Sequence, residues 1–156
     1  QLREKRSPLL VVNRCETRCI SQPLEWPERA LVVMSCGDHE YGVKMIDRQI
    51  AAGAKAFVAY NSAAVPVSVC LGEGYGSAFY FSDLFTPPSY RGRGYAAAVL
   101  AAGIAYAKEI GYAELYLDAY ATSPVALYEK FGFRGEEHTS FWAVKGGLPN
   151  WLGEGD

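Results

Sequence analysis

Runs of apolar residues mark out a series of short elements along the first half of the chain. Residues 8–13 (PLLVVN) predict a short strand, and residues 41–52 predict a helix that ends near Gly53. Two β-rich runs, residues 55–60 (KAFVAY) and 65–71 (VPVSVCL), surround the turn-like NSAA and therefore predict a hairpin. The rest of residues 20–50 gives no clear pattern, because prolines interrupt it early.

The second half of the chain carries a stronger pattern. Residues 77–86 (SAFYFSDLFT) predict a longer strand, which two prolines stop because neither can donate to a ladder. Residues 94–110 are alanine-rich and apolar around most of the circumference, so they predict a helix that is buried against a sheet and ends at Gly111. Residues 114–120 (ELYLDAY) predict the next strand, and this order predicts a right-handed crossover between parallel neighbours.

Capping signals and a last apolar run complete the predicted elements. Ser123 is a good helix N-cap and Pro124 a good first helical residue, so residues 124–131 predict a two-turn helix that Gly132 ends. The chain from Phe133 onward, with SFWAV at 140–144, predicts the last strands. Together these elements predict the α/β class with a mixed sheet.

Composition indicates one globular domain over residues 1–156. Half of the 156 residues are hydrophobic and 21% are charged, which allows a real core without metals or disulfides. No repeat or linker-like tract divides the chain. No apolar run approaches the roughly 20 residues that span a bilayer. The apolar run near the start is too short for a signal peptide, so we expect a cytoplasmic protein that needs no membrane.

Charge and cysteine spacing argue against two kinds of partner. The formal net charge is −2, so no overall basic field attracts nucleic acid. The four cysteines lack the C-x-x-C spacing of a zinc site and the two histidines lie far apart, so we expect reduced thiols and no metal. The sequence leaves the oligomeric state open and allows a homodimer.

The junction FTPPSYRGRGYAAAVL, between a predicted strand and a long predicted helix, carries the clearest chemical signal. A helix N-terminus presents unpaired N–H groups and a partial positive charge, which together bind anions. Gly92 and Gly94 let the backbone approach a phosphate closely, and Arg91 and Arg93 add donors at the rim. The junction therefore predicts a pyrophosphate site.

Other glycine-rich turns fit the same junction less well. A Walker loop needs G-x-x-x-x-G-K-[ST], which the chain lacks. A dinucleotide fingerprint, G-x-G-x-x-G, would place a tolerated Ala97 at its third glycine, but that turn belongs on an early strand with an acidic residue about 20 positions further on. A loop whose glycines serve only for turning stays open.

Two segments together resemble the GNAT superfamily of N-acetyltransferases. Residues 91–96 (RGRGYA) are similar to its signature Q/R-x-x-G-x-G/A, and residues 123–133 (SPVALYEKFGF) resemble its later helix and the ending around LYEK and GF. The two lie at the family's usual separation, and the resemblance covers about residues 55–133. It implies a GNAT-like α/β fold: a mixed, mostly antiparallel central sheet with two splayed parallel strands and flanking helices.

The resemblance also implies acetyl-CoA as the acetyl-donating cosubstrate and gives residues their roles. Pantetheine would lie between the splayed strands, and backbone N–H groups along residues 92–96 would hold the pyrophosphate. Backbone N–H groups of Phe85 and Thr86 would polarise the thioester carbonyl as its oxygen gains charge. The implied cofactor-binding set is Phe85, Thr86, Arg91, Gly92, Arg93, Gly94, Tyr95 and Ala96.

Two residues are the candidates for proton transfer. Tyr128 matches the family's usual proton donor to the departing thiolate; a phenol with a pKa of about 10 stays protonated at neutral pH, although simple packing is the alternative. Asp83 is our choice of general base over Asp118, and the alternative is a structural role in which it pairs with a neighbour. Tyr80 stands where some relatives carry a catalytic carboxylate, and Ala121 stands where the family often has Asn.

The expected function is transfer of an acetyl group to a primary amine of a small cationic molecule. Asp83-Leu84 and PVALY resemble small aminoglycoside 3-N-acetyltransferases, and carboxylates near the cleft suit a cationic acceptor. Transfer to protein N-termini or lysines is one alternative. A non-catalytic acyl-CoA-binding module is another, which the sequence separates from an enzyme only through Tyr128.

Overall fold

The computed structural model describes residues 16–20, 24–36, 39–119 and 123–135. Five strands within these ranges form one sheet in the order β1-β2-β3-β4-β5. Neighbours are antiparallel from β1 to β4, whereas β4 and β5 are parallel, which confirms the mixed, mostly antiparallel sheet. The strands are β1 Glu16–Ile20, β2 Lys55–Tyr60, β3 Pro66–Tyr75, β4 Ala78–Phe85 and β5 Glu114–Leu117.

Helices cover both faces of this sheet. α1 and α2 pack on one face, and α3 packs on the other. α4 lies beside the N-terminal end of α3. The described helices are α1 Glu28–Cys36, α2 His39–Ala51, α3 Tyr95–Ile110 and α4 Val125–Lys130, with a 3₁₀ turn at Pro88–Tyr90. None of the helices in the described ranges is long and apolar enough to cross a membrane.

Side-chain alternation along β2 explains why the core has two parts. Phe57 and Ala59 face α3, whereas Ala56 and Val58 face α1 and α2, and all four are fully buried. Successive side chains of a strand point to opposite faces of the sheet. A strand covered on both faces therefore has a continuous apolar sequence. This is why the run KAFVAY predicted β2.

The predicted hairpin, long strand and long helix are confirmed. β3 continues to Tyr75, four residues beyond its predicted end, and the other ends match or shift by one residue. Asn61 closes the β2–β3 turn, because its side-chain oxygen accepts hydrogen bonds from the N–H groups of Ala63 and Val65 at 2.9 and 3.0 Å. Gly111 ends α3 with a φ of 105°, a conformation that favours glycine. β5 ends at Leu117 and is thus shorter than the predicted strand over residues 114–120.

Three regions of the chain differ from the prediction or lie outside the described residues. α1 was missed, because prolines hid the helix that begins at Glu28 directly after Pro27. The predicted strand at residues 8–13 and the predicted SFWAV strand at 140–144 lie outside the described residues.

The predicted cap of α4 is wrong by one residue. Pro124 is the N-cap, α4 begins at Val125, and no side chain caps it. The backbone carbonyl of Ser123, rather than its hydroxyl, accepts the Val125 N–H at 2.8 Å. The Ser123 hydroxyl instead forms a hydrogen bond with Tyr128, so it is engaged inside the cleft and not at the helix end.

The two parallel strands separate beyond their fourth pair, which confirms the splayed arrangement. Pairing of β4 with β5 stops at Phe81 and Leu117, although β4 continues to Phe85 along β3. A bulge on β4 follows at once, where Asp83 has a φ of +53° and the register against β3 shifts. Because a bulge bends its strand and increases its twist, the two strands diverge and leave a gap.

Candidate active site

A cavity of about 820 Å³ occupies the gap between β4 and β5. Its walls come from the end of β4, the turn that follows, the first turn of α3, and α4. The structure brings together nearly all of the site residues predicted from the sequence, and only Arg93 is absent from the walls. Those that line the cavity are Asp83, Phe85, Thr86, Arg91, Gly92, Gly94, Tyr95, Ala96 and Tyr128.

The glycine loop has the backbone of an anion site. Gly92 and Gly94 have φ angles of 77° and 89°, in the left-handed region that other residues rarely adopt. A Cβ added at Gly92 would meet no atom within 4 Å, so the loop leaves open space there. Gly94 is the N-cap of α3 and no side chain caps the helix, whose first N–H groups have no acceptor within the helix. These features fit a pyrophosphate.

The two loop arginines have different surroundings. Arg91 donates from Nε to the carbonyl oxygen of Thr86 at 2.6 Å, and its guanidinium lies 5.8 Å from the ring centre of Phe85. Arg93 lies over the ring of Tyr90 at 5.9 Å. Arg91 therefore links the loop to the end of β4. The sequence did not predict this role, because a hydrogen bond from a side chain to a backbone carbonyl leaves no pattern in the sequence.

Tyr128 on α4 is both a core residue and a wall of the cavity. Its side chain is buried with an exposed fraction of 7%, and its ring packs edge-on against Phe133 at 6.4 Å. Burial raises the pKa of Tyr128, and the nearby Cys70 adds to the effect, while a hydrogen bond from Ser123 opposes it. The phenol thus holds its proton at neutral pH and can donate it.

Asp83 sits at the bulge, on the side of the cavity nearest α1. Burial raises the pKa of Asp83, and hydrogen bonds from Ser35, Ser82 and Gln49 oppose the increase. The Ser35 Oγ lies 3.4 Å from Oδ1 of this carboxylate, and it also donates to the carbonyl oxygen of Val32 at 2.7 Å. A raised pKa makes this carboxylate a better proton acceptor than an exposed aspartate. Its position is therefore compatible both with a base and with a polar residue paired to its neighbours.

Asp118 lines the same cavity from the end of β5. It accepts a hydrogen bond from the hydroxyl of Tyr80, which lies on β4 across the parallel pair. This bond links the two strands where they begin to separate. A tyrosine at position 80 thus positions a carboxylate of the next strand.

Cys70 forms part of the inner wall of the cavity and is fully buried. Burial raises the pKa of its thiol, and the charge of Asp83 raises it further. A thiol that resists ionisation is a poor nucleophile, so the wall here is inert. In the described ranges, no group of three or more His, Cys, Asp or Glu side chains could hold a metal ion.

Comparisons with known proteins agree with this geometry. The model of the acetyltransferase (GNAT) family matches residues 17–133, which is more than half of the chain. No curated protein sequence matches the chain.

Three solved structures illustrate the shared fold. An acetyltransferase of Trypanosoma brucei is 19% identical with a TM-score of 0.63, over 81% of this chain and 96% of that one. A predicted acetyltransferase of Clostridium acetobutylicum, solved with acetyl-CoA, is 16% identical with a TM-score of 0.60, over 81% and 94%. An aminoglycoside 6′-N-acetyltransferase of Acinetobacter baumannii is 18% identical with a TM-score of 0.65, over 81% and 95%.

Proposed function

The chain belongs to the GNAT family of acetyltransferases, for which acetyl-CoA is the acetyl donor, and we propose that it acetylates a primary amine of a small cationic molecule. The observation that carries the proposal is the composition of a single cavity. A glycine loop whose backbone fits an anion, a phenol with a raised pKa and a carboxylate with a raised pKa all line the same cavity. These are the parts that acetyl transfer to an amine requires.

The donor half of the cavity would be built by the loop and by the end of β4. Backbone N–H groups along residues 92–96 would hold the pyrophosphate at the start of α3. The gap between β4 and β5 would take the pantetheine arm, with its carbonyls near the N–H groups of Phe85 and Thr86. Tyr95 and Ala96 supply N–H groups of the first helical turn, so they belong to the proposed phosphate site.

Two proton transfers then follow from the positions of two side chains. Asp83 accepts a proton from the amine, directly or through water, as the nitrogen bonds to the acetyl carbon. Tyr128 gives its proton to the sulfur as the carbon–sulfur bond breaks, and the phenol regains a proton from solvent afterwards. The positions of both residues in the cavity wall support these roles.

The charge of the acceptor half supports a cationic substrate. Asp83 and Asp118 both line the cavity. In the proposed arrangement they would lie near the point where an acceptor amine meets the thioester. The chain as a whole carries a net charge of −2. Aminoglycoside acetyltransferases also occur among the structures that share the fold, which makes an aminoglycoside-like polyamine the acceptor class to test first.

A thiol-release assay tests this proposal. Acetyl-CoA is mixed with the protein and with a panel of aminoglycosides, diamines and peptides, and free coenzyme A is measured for each acceptor. We expect release with polyamines and little release with peptides. Peptide-dependent release would move the function to protein acetylation. Binding of acetyl-CoA without release for any amine would leave a non-catalytic acyl-CoA-binding module.

A further inference from the structure

Two successive carbonyl groups at the end of β4 are held by side chains from outside that strand. The hydroxyl of Ser68, on β3, donates to the carbonyl oxygen of Phe85 at 3.3 Å. The same hydroxyl oxygen lies 2.8 Å from Oγ1 of Thr86. Because each hydroxyl has one proton, the two bonds form together when Thr86 donates to Ser68 and Ser68 donates to Phe85. Arg91 holds the next carbonyl, that of Thr86, at 2.6 Å.

The bond from Ser68 also orients an N–H group, because a peptide unit is planar. The carbonyl of Phe85 and the N–H of Thr86 belong to one trans peptide, in which they point in opposite directions. Fixing the carbonyl toward β3 therefore turns the Thr86 N–H away from β3. Within a strand, the N–H and carbonyl of one residue share a side, so the N–H of Phe85 points toward β3, where Phe85 pairs with Val69.

The direction away from β3 leads into the cavity. β4 lies between β3 and β5 in the sheet, and its pairing with β5 has already ended at Phe81. Thr86 lines the cavity, whereas Ser68 is fully buried behind it and does not. The Thr86 N–H consequently faces the space between the splayed strands.

We propose that Ser68 is a positioning residue that aims the Thr86 N–H at a carbonyl of the acetyl-pantetheine arm. This inference rests on the proposed use of acetyl-CoA and refines it, since it assigns the donor role to Thr86 and not to Phe85. Ser68 touches no ligand itself and acts through the peptide that it holds. The neighbouring positions Val67 and Val69 are also fully buried. If packing were the only requirement at position 68, an apolar residue would meet it. A buried hydroxyl is costly unless it is bonded, which agrees with a specific role.

Calorimetric titration of a Ser68→Ala variant tests the inference, with three ligands. Acetyl-CoA carries the whole arm, coenzyme A lacks the acetyl carbonyl, and the nucleotide diphosphate half of coenzyme A lacks the arm entirely. We expect acetyl-CoA to bind about tenfold more weakly to the variant, the loss typical of one hydrogen bond. The nucleotide half should bind as it does to the wild type, because the glycine loop is unchanged.

A matched variant separates positioning from general loosening of the strand. Val67→Ala truncates a fully buried neighbour on β3 without touching either carbonyl, so it should leave the affinity for acetyl-CoA unchanged even if it lowers the melting temperature.

The outcomes are distinct. Weaker binding of acetyl-CoA alone assigns the N–H to the thioester carbonyl, and weaker binding of both acetyl-CoA and coenzyme A assigns it to a pantetheine carbonyl. Unchanged binding of acetyl-CoA by Ser68→Ala overturns the inference, as does an equal loss for the nucleotide half or for Val67→Ala. If the wild type itself does not bind acetyl-CoA, the proposed function has failed and the inference fails with it.

Discussion

The proposed donor half and the proposed acceptor half of the cavity are built in different ways. The donor half uses residues 85–96, which are contiguous and contribute backbone N–H groups at positive-φ glycines and a helix start. The acceptor half uses side chains from three separate elements, with Asp83 on β4, Asp118 after β5 and Ser35 on α1. The first half depends on backbone conformation, and the second depends on how distant elements pack. Substitutions should therefore affect the two halves through different measurements.

The largest effect is expected from Gly94→Glu in the donor half. A non-glycine residue held in the left-handed region costs about 1–3 kcal/mol, and a carboxylate at the start of α3 repels phosphate. We expect the affinity for acetyl-CoA in calorimetry to fall by about 100-fold or more. Gly76→Glu is the matched control, because Gly76 also has a positive φ, 60°, but lies in the β3–β4 turn. An equal loss of acetyl-CoA affinity in both variants would mean that backbone strain, and not a lost phosphate contact, causes the loss.

Tyr128→Phe should separate chemistry from donor binding. The substitution removes one hydroxyl from a buried ring, so acetyl-CoA should bind as before while kcat falls by about 100-fold, the usual contribution of a general acid. Tyr112→Phe is the control, since Tyr112 packs in the same core against Phe79, with 5.0 Å between ring centres. Steady-state kinetics and calorimetry check both values. If Tyr128→Phe turns over at the wild-type rate, Tyr128 is not the general acid and only packs in the core.

Asp83→Asn should lower the rate by about tenfold at neutral pH and remove the acid limb of the pH profile. In the wild type, the rate should fall on acidification as Asp83 takes up a proton. Because burial raises the pKa of Asp83, that fall should occur at a higher pH than for an exposed aspartate. A pH–rate profile of both proteins checks this, and an acid limb that persists in the variant would assign the base elsewhere.

The stability of the same variant has a predictable sign. Since the folded-state pKa of Asp83 is raised, its contribution to stability is present below the unfolded pKa and is lost as the pH rises through the folded pKa. The ionised carboxylate thus destabilises the fold at neutral pH. Asparagine also tolerates a positive φ, which is +53° here. We expect Asp83→Asn to melt higher than the wild type at pH 7, and thermal melts at acidic pH should show the difference shrinking.

The smallest effect compares the two arginines of the loop. Arg91→Ala removes the bond to the Thr86 carbonyl, so it should weaken acetyl-CoA binding about tenfold. Arg93→Ala removes an exposed guanidinium over Tyr90 and should change the affinity about twofold at most, because exposed charges contribute little. Titration of both variants checks the order. A reversed order would place the phosphate beside Arg93.

The same difference between the two halves explains what the sequence could predict. Local backbone requirements leave local signals, so the glycines before α3 and the apolar runs of β2, β4 and α3 were readable. The bulge at Asp83 was not, because it is a shift in the register of β4 against β3, and a shift in register leaves no mark in the apolar pattern of either strand. The partners of Asp83 and of Thr86 were equally hidden, since Ser35 and Ser68 reach them only in the folded chain.

The most direct test of the central claim is calorimetric titration of the wild-type chain with acetyl-CoA. The loop, the helix start and the splayed strands together predict one molecule bound per chain, with a dissociation constant in the range of about 1–100 μM, typical of a cosubstrate site. The nucleotide half of coenzyme A should compete for the same site. Absence of measurable binding of acetyl-CoA, or binding that the nucleotide half does not displace, would contradict the assignment of the loop as the pyrophosphate site.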